Sequence, residues 1–142
     1  MANSKASHIW PHEPTIVTQR SNTSVLAGAG DDVIVSAPGR QVITLGAGRD
    51  VVVWLYYPDS DVINDFEPGV DRFDLRGVLA AVGYTGTNPL ADGRLLCDTV
   101  TGGAYLKLDR DGPGGGAAAV YALVKGPGVR SATLCERANF NF

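Results

Sequence analysis

A nine-residue phase runs through the first half of the chain and narrows its possible folds to very few. Ala27-Gly-Ala-Gly-Asp-Asp-Val-Ile-Val35 and Leu45-Gly-Ala-Gly-Arg-Asp-Val-Val-Val53 agree at most positions and lie eighteen residues apart. Ser36-Ala-Pro-Gly-Arg-Gln-Val-Ile-Thr44 fills the gap as a degenerate middle copy. Gly30, Gly39 and Gly48 keep the step of nine, as do Asp32, Gln41 and Asp50, and again Ile34, Ile43 and Val52. The apolar slot extends backwards to Val25 and Ile16. Forwards the phase loosens, with Asp61/Ile63 and Asp71/Phe73 repeating the pairing after small insertions. A unit this short cannot bury its own apolar side chain, so neighbouring units must stack to make a continuous core.

Each slot has a physical reason. Two alternate glycines permit positive φ and let backbone carbonyls approach an ion with no Cβ in the way. The aspartate that closes the turn supplies the charged oxygen preferred by a hard cation such as calcium. The Val or Ile pair that follows forms a short strand with one side chain directed inward. Two copies make one coil of a parallel roll, so turns eighteen residues apart share an edge. The candidate calcium ligands are Gly28, Gly30 and Asp32 in one turn and Gly46, Gly48 and Asp50 in the next. Asp61, Asp65 and Asp71 extend the set forwards. By this count the 65–71 turn stacks on 45–50, and Asp50 lies between two same-edge neighbours. The opposite edge carries Pro38 and Gln41 and is expected to bind poorly or not at all.

The remaining composition agrees with strands and tight turns. Eighteen glycines stand among 142 residues, with 44% hydrophobic and 19% charged side chains, a balance suited to a packed globule. The net charge of −3 gives no electrostatic reason to expect nucleic acid or an anionic membrane as partner. Its carboxylates cluster as Asp31/Asp32, Asp59/Asp61 and Asp71/Asp74, which favours cations. No stretch is long and apolar enough to insert in a bilayer. Met1 to Trp10 is polar and lacks the apolar core of a signal peptide, so an export address is expected elsewhere. Cys97 and Cys135 are either bridged or two core thiols. A bridge would close a loop of about 39 residues, worth roughly 4 kcal/mol in chain-entropy terms.

With these residues in view, the nonapeptides resemble the repeats-in-toxin (RTX) family of calcium β-rolls, whose pattern is Gly-Gly-x-Gly-x-Asp-x-apolar-x. Ala27 and Leu45 replace the first glycine, and Gln41 replaces one aspartate. Asp61-Val-Ile-Asn-Asp-Phe-Glu-Pro-Gly-Val-Asp-Arg-Phe-Asp-Leu75 resembles the segment that ends the roll in serralysin-type secreted proteases. That resemblance implies a last strand and turn, then a short helix over 76–82 stopped by Gly83. Beyond it, 94–99 and 104–109 flank Thr101-Gly-Gly103 as a hairpin, and 117–125 forms a further strand. Asp109 and Asp111 are expected to close an Asx-type turn, with a further ion as the alternative. Ala138-Asn-Phe-Asn-Phe142 is similar to the uncleaved C-terminal signals of type I secretion substrates.

The sequence therefore predicts an all-β chain. It comprises an N-terminal arm (1–15), a short parallel β-roll (16–75) and a cap with an antiparallel sheet, one short helix and the type I secretion target region (76–142). No hydrolase elbow, zinc-protease motif or phosphate loop occurs. His8, His12 and Glu13 have a zinc-like spacing, but Pro11 and Pro14 oppose a helix there, and the segment is read as a polar arm without catalysis. The expectation is a secreted, calcium-dependent folding module, with Ca²⁺ as cofactor and the type I secretion machinery as partner. The alternative is a complete small secreted protein whose partner is itself, in filaments or on a cell surface.

Overall fold

Each nonapeptide forms one short strand and one turn, and successive copies alternate between two parallel sheets. The computed structural model describes residues 5–7, 15–18, 22–56 and 60–142. His8, His12, Glu13 and Asp59 lie outside the described residues. The chain runs through β1 (Lys5–Ser7), β2 (Thr15–Val17), β3 (Thr23–Leu26), β4 (Val33–Ser36), β5 (Gln41–Thr44), β6 (Val51–Trp54), β7 (Asp61–Ile63) and β8 (Arg72–Asp74). Odd-numbered strands pair in one sheet and even-numbered strands in the other, all in parallel. Thr23 faces Gln41 and Val33 faces Val51, a coil of eighteen residues. Val42 faces Val62 and Val51 faces Arg72, so the insertions read in the sequence lengthen later coils without breaking register.

Because side chains alternate along a strand, the step of nine builds two facing apolar ladders. In the even sheet Ile16, Ile34, Val52 and Phe73 stack in register. In the odd sheet Val25, Ile43 and Ile63 do the same. All seven are buried, five of them completely. Full burial of such side chains contributes about 1.5–3 kcal/mol each. Trp54 and Phe66 both stack on Phe73, at ring-centroid distances of 4.9 and 4.6 Å. Ala27 and Leu45, which stand where the family pattern has its first glycine, are buried as well and extend the core into the turns.

The C-terminal half closes the open end of both sheets. Helix α1 (Arg76–Ala81) follows the last coil, and Gly83, at φ 72°, donates its N–H to the Ala80 carbonyl and ends it. Strands β9 (Leu95–Val100) and β10 (Gly103–Leu108) form the expected hairpin, and β11 (Ala119–Val124) pairs antiparallel to β10. On its other side β11 pairs parallel to β7, so the antiparallel cap continues the odd sheet to seven strands. A second short helix, α2 (Ser131–Leu134), and a 3-10 turn over Arg137–Asn139 were not foreseen from the sequence. They bring β12 (Phe140–Asn141) alongside β8, with Phe140 facing Phe73. The aromatic end is thus an integral strand of the even sheet, with Phe140 buried. Cys97 of β9 and Cys135 behind α2 are disulfide-bonded, which ties the two halves of the cap together.

Candidate metal centre

Three turns stack on the edge where the chain passes from the odd to the even sheet: 27–32, 45–50 and 64–71. The first two approach closely enough for direct backbone contact. Gly30 donates its N–H to Ala47 at 2.8 Å, and Ala47 donates to Gly28 at 3.0 Å. A Cβ on Gly46 would lie 1.7 Å from the Gly28 carbonyl oxygen, and one on Gly48 2.0 Å from that of Gly30. Both residues also have positive φ, 93° and 140°. The glycines are therefore required for turn-to-turn contact. Gly28 directs its carbonyl at the next turn, a use that the ion-centred reading of these glycines did not anticipate.

The aspartates run along the same edge as a series of staples. Asp50 Oδ1 accepts the Asp32 N–H at 2.8 Å, and Asp71 Oδ1 accepts the Asp50 N–H at 3.0 Å. Asp71 Oδ2 accepts the Glu67 N–H at 2.8 Å and so closes its own turn. Asp65 takes the amides of Leu45 and Gly46 on its two oxygens, at 2.7 and 2.8 Å. Asp31, outside the candidate set, accepts the Arg49 N–H at 2.8 Å. Asp32, Asp50, Asp65 and Asp71 are thus brought to one edge, each carboxylate but that of Asp32 holding an amide of the preceding coil. Among the described residues no three His, Cys, Asp or Glu side chains converge as a ready-made metal cluster.

Two oxygens are left over. Asp32 Oδ2 and Asp50 Oδ2 are buried and have no hydrogen-bond partner. Buried acceptors without partners are costly and call for a bound proton, ion or water. Burial raises the Asp50 carboxyl to about 7; the Asp32 amide opposes the shift, while the charges of Asp71, Asp32 and Asp65 add to it. Burial also raises Asp32 and Asp71, helped by Asp31 and by Glu67 and Asp65 respectively. Orphaned carboxylate oxygens one coil apart supply the hard, charged donors that a hard cation prefers. A depression of about 400 Å³ whose lining includes Asp50, with Arg49, Gly69, Arg72 and Asn141, opens on the side of the third turn.

The opposite edge is built differently, and one sequence expectation is corrected there. Asp61 does not join the other aspartates. Its carboxylate accepts the Gln41 N–H at 2.8 Å, the Ser36 hydroxyl at 2.7 Å and the Trp54 indole N–H at 2.8 Å. These donors leave it a structural anchor of the 36–41 turn. Gln41 closes that turn with its own amide, donating Nε2 to the carbonyls of Gly39 at 3.2 Å and Ala37 at 3.4 Å. A side-chain donor there turns the carbonyls inward without an ion. In the cap, Asp109 and Asp111 accept the amides of Gly112 and Gly116, three and five residues on, so both carboxylates brace the 109–116 turn, though not with the two-residue spacing of an Asx turn.

A family model described as peptidase M10 serralysin C terminal matches residues 16–87, half of the chain. The chain belongs to the serralysin C-terminal family. The match runs from β2 past α1 and contains all three stacked turns; 88–142 lie outside it. A serralysin C-terminal domain is a non-catalytic module and implies a secreted protein, and RTX-like domains of this kind bind calcium in general. Among the described residues no helix of this serralysin-type domain is long and apolar enough to cross a membrane. A comparison with curated proteins finds no match to the chain.

Proposed function

We propose that this domain is a calcium-binding extracellular module that folds on meeting calcium after type I secretion and serves as the folding cap of a secreted protein. The observation that carries the reading is the pair of buried, unpartnered oxygens of Asp32 and Asp50 on a stack of acidic turns. Asp32 and Asp50 would hold the cation, with Asp65 and Asp71 keeping the adjacent turn in place. Calcium there supplies positive charge that neutralises the stacked carboxylates. Without it their mutual repulsion opposes the ordering of short coils, which already costs about 1–2 kcal/mol per residue in backbone entropy. A disulfide between Cys97 and Cys135 suits an oxidising compartment.

Extracellular calcium modules bind with dissociation constants of roughly 10⁻⁴–10⁻³ M, and binding to the folded state alone stabilises it by mass action. Millimolar calcium is therefore expected to raise the melting temperature by several degrees, and magnesium much less, because magnesium holds its waters and demands octahedral geometry. Identical melting curves and circular dichroism in calcium and in chelator would remove the metal from the function.

A second reading, assembly of copies into filaments or on a surface, is supported by the other end of the solenoid. Among the described strands β2 is the edge of the even sheet, pairing only with β4, and its Val17 is 66% exposed. Such edges template further pairing. Electron microscopy of the purified chain with calcium tests it; the tail no longer supports it, being consumed by pairing with β8.

A further inference from the structure

We propose that Asn139 and the Cys97–Cys135 bridge form a clasp that fixes the third acidic turn, so that oxidation of the two cysteines strengthens calcium binding at a distance. The calcium half of this inference rests on the function proposed above. Asn139 is fully buried, and all its side-chain hydrogen-bonding groups are directed at backbone. Its Oδ1 accepts the Gly69 N–H at 2.7 Å, seventy residues away in sequence, inside the 65–71 turn. Its Nδ2 donates to the carbonyls of Thr133 at 2.7 Å and Leu134 at 3.0 Å, at the end of α2. The next residue is Cys135, bonded to Cys97 on the outermost strand of the odd sheet.

A continuous series of contacts therefore joins the bridge to the candidate metal edge. It passes from Cys135 through the end of α2 and Asn139 to Gly69, and within that turn to Asp71, whose Oδ1 holds the Asp50 amide. Gly69 itself is exposed, and a side chain added there would meet nothing within 4 Å. The Asn139 bond supplies a fixed point that the packing around Gly69 does not. Thr99 Oγ1 and Ser131 also bond across the same junction, at 2.9 Å, so reduction loosens the clasp without releasing it. On oxidation the two thiols give two electrons and two protons to a small-molecule or protein disulfide, which leaves as a dithiol while the Sγ–Sγ bond forms. Both conditions for a tight turn stack, calcium and an oxidant, are then met outside the cell and withheld inside it.

The test compares oxidised and reduced full-length protein, and each with Asn139→Ala, by amide hydrogen exchange at Gly69 in chelator and by calcium titration calorimetry. Loss of the part-buried Asn139–Gly69 bond is expected to speed Gly69 exchange about tenfold. Reduction is expected to weaken calcium binding about fivefold, the lower range of known site-to-site couplings. Asn139→Ala in the oxidised protein should weaken it at least as much, and reduction should then have no further effect. If Asn139→Ala does not fold, the reduced parent chain carries the test unaided. A reduced protein that melts lower yet keeps its Gly69 exchange rate and calcium affinity overturns the clasp. If no form binds calcium, the function proposed above fails, and Gly69 exchange alone decides whether the clasp positions the turn.

Discussion

Asp50 acts in two directions, accepting the Asp32 amide with its side chain and offering its own amide to Asp71. It is also fully buried with one oxygen unpartnered, and its carboxyl is raised to about 7. An unfolded aspartate titrates near 3.9, so between about pH 4 and 7 the calcium-free folded chain holds more protons than the unfolded one. Its stability therefore falls as pH rises through that window, and the upward shifts of Asp32 and Asp71 act in the same direction. The melting temperature in chelator should be higher at pH 5 than at pH 8. Calcium binds the ionised form, so its stabilising increment should grow over the same interval. Melting curves at both pH values, with and without calcium, check the sign; a chelated protein more stable at pH 8 contradicts it. Asp74 is lowered by its hydrogen bonds to Arg76 and loses its contribution only below the ordinary carboxylate range, outside this window. Asp50→Asn removes the charge and keeps an acceptor for the Asp32 amide. At pH 8 it should melt no lower than the parent in chelator, while its calcium dissociation constant rises about tenfold or more, since ligand charge sets affinity in such sites. An unchanged calorimetric titration would dissociate Asp50 from the cation.

At the scale of elements, the last seven residues matter more than their position suggests. Phe140 is buried against Phe73, Leu75 donates its N–H to the Asn141 carbonyl, and Asn139 reaches the 65–71 turn. Phe140→Ala should destabilise the domain by about 3–5 kcal/mol, as large-to-small changes of buried aromatics do. Deleting residues 136–142 should do at least as much, with denaturant midpoints as the measurement; a truncated chain of parental stability would mean that β12 caps nothing. Much of the roll was legible beforehand, because the inward residues from Ile16 to Phe73 keep one rule of alternating strands, and the 27–32 and 45–50 turns add glycines and a closing carboxylate to it. The insertions before Asp61 and Asp71 were legible as slips in that phase. The cap was legible only as separate strands, since pairing of β11 with β7 and of β12 with β8 depends on contacts far apart in sequence. Asp61 was misassigned for a related reason. It keeps the repeat's pairing of aspartate with an inward apolar residue two positions on, but its partners Ser36, Gln41 and Trp54 are set by the opposite edge. Asn139 carries no local signal at all.

Considered as a whole molecule, the domain is a stack whose order of assembly is set by what lies outside it. Parallel coils with long-range closure fold slowly, because loop entropy must be met before non-local contacts form. The acidic edge adds repulsion that only a cation or protons relieve. On the route proposed for this module, such a chain would stay unfolded in a low-calcium cytosol and thread a type I channel. Because β12 pairs with β8, and β7 and β8 stack on β5 and β6, residues 61–142 alone would leave the ladders of Ile63 and Phe73 open. The export fusion should therefore carry residues 16–142 behind an inert passenger. In a type I-competent host this fusion is expected in the medium, and its retention in the cell would defeat the targeting proposal. A second arm separates folding from address. Asp50→Asn leaves every residue of the cap unchanged but removes the charge that, on the proposed route, would keep the calcium-free chain loose. If premature folding blocks the channel, the Asp50→Asn fusion should accumulate inside the cell and appear outside more slowly than the parent. Equal export of the two would show that the acidic stack does not gate passage, even where calcium binding itself is intact.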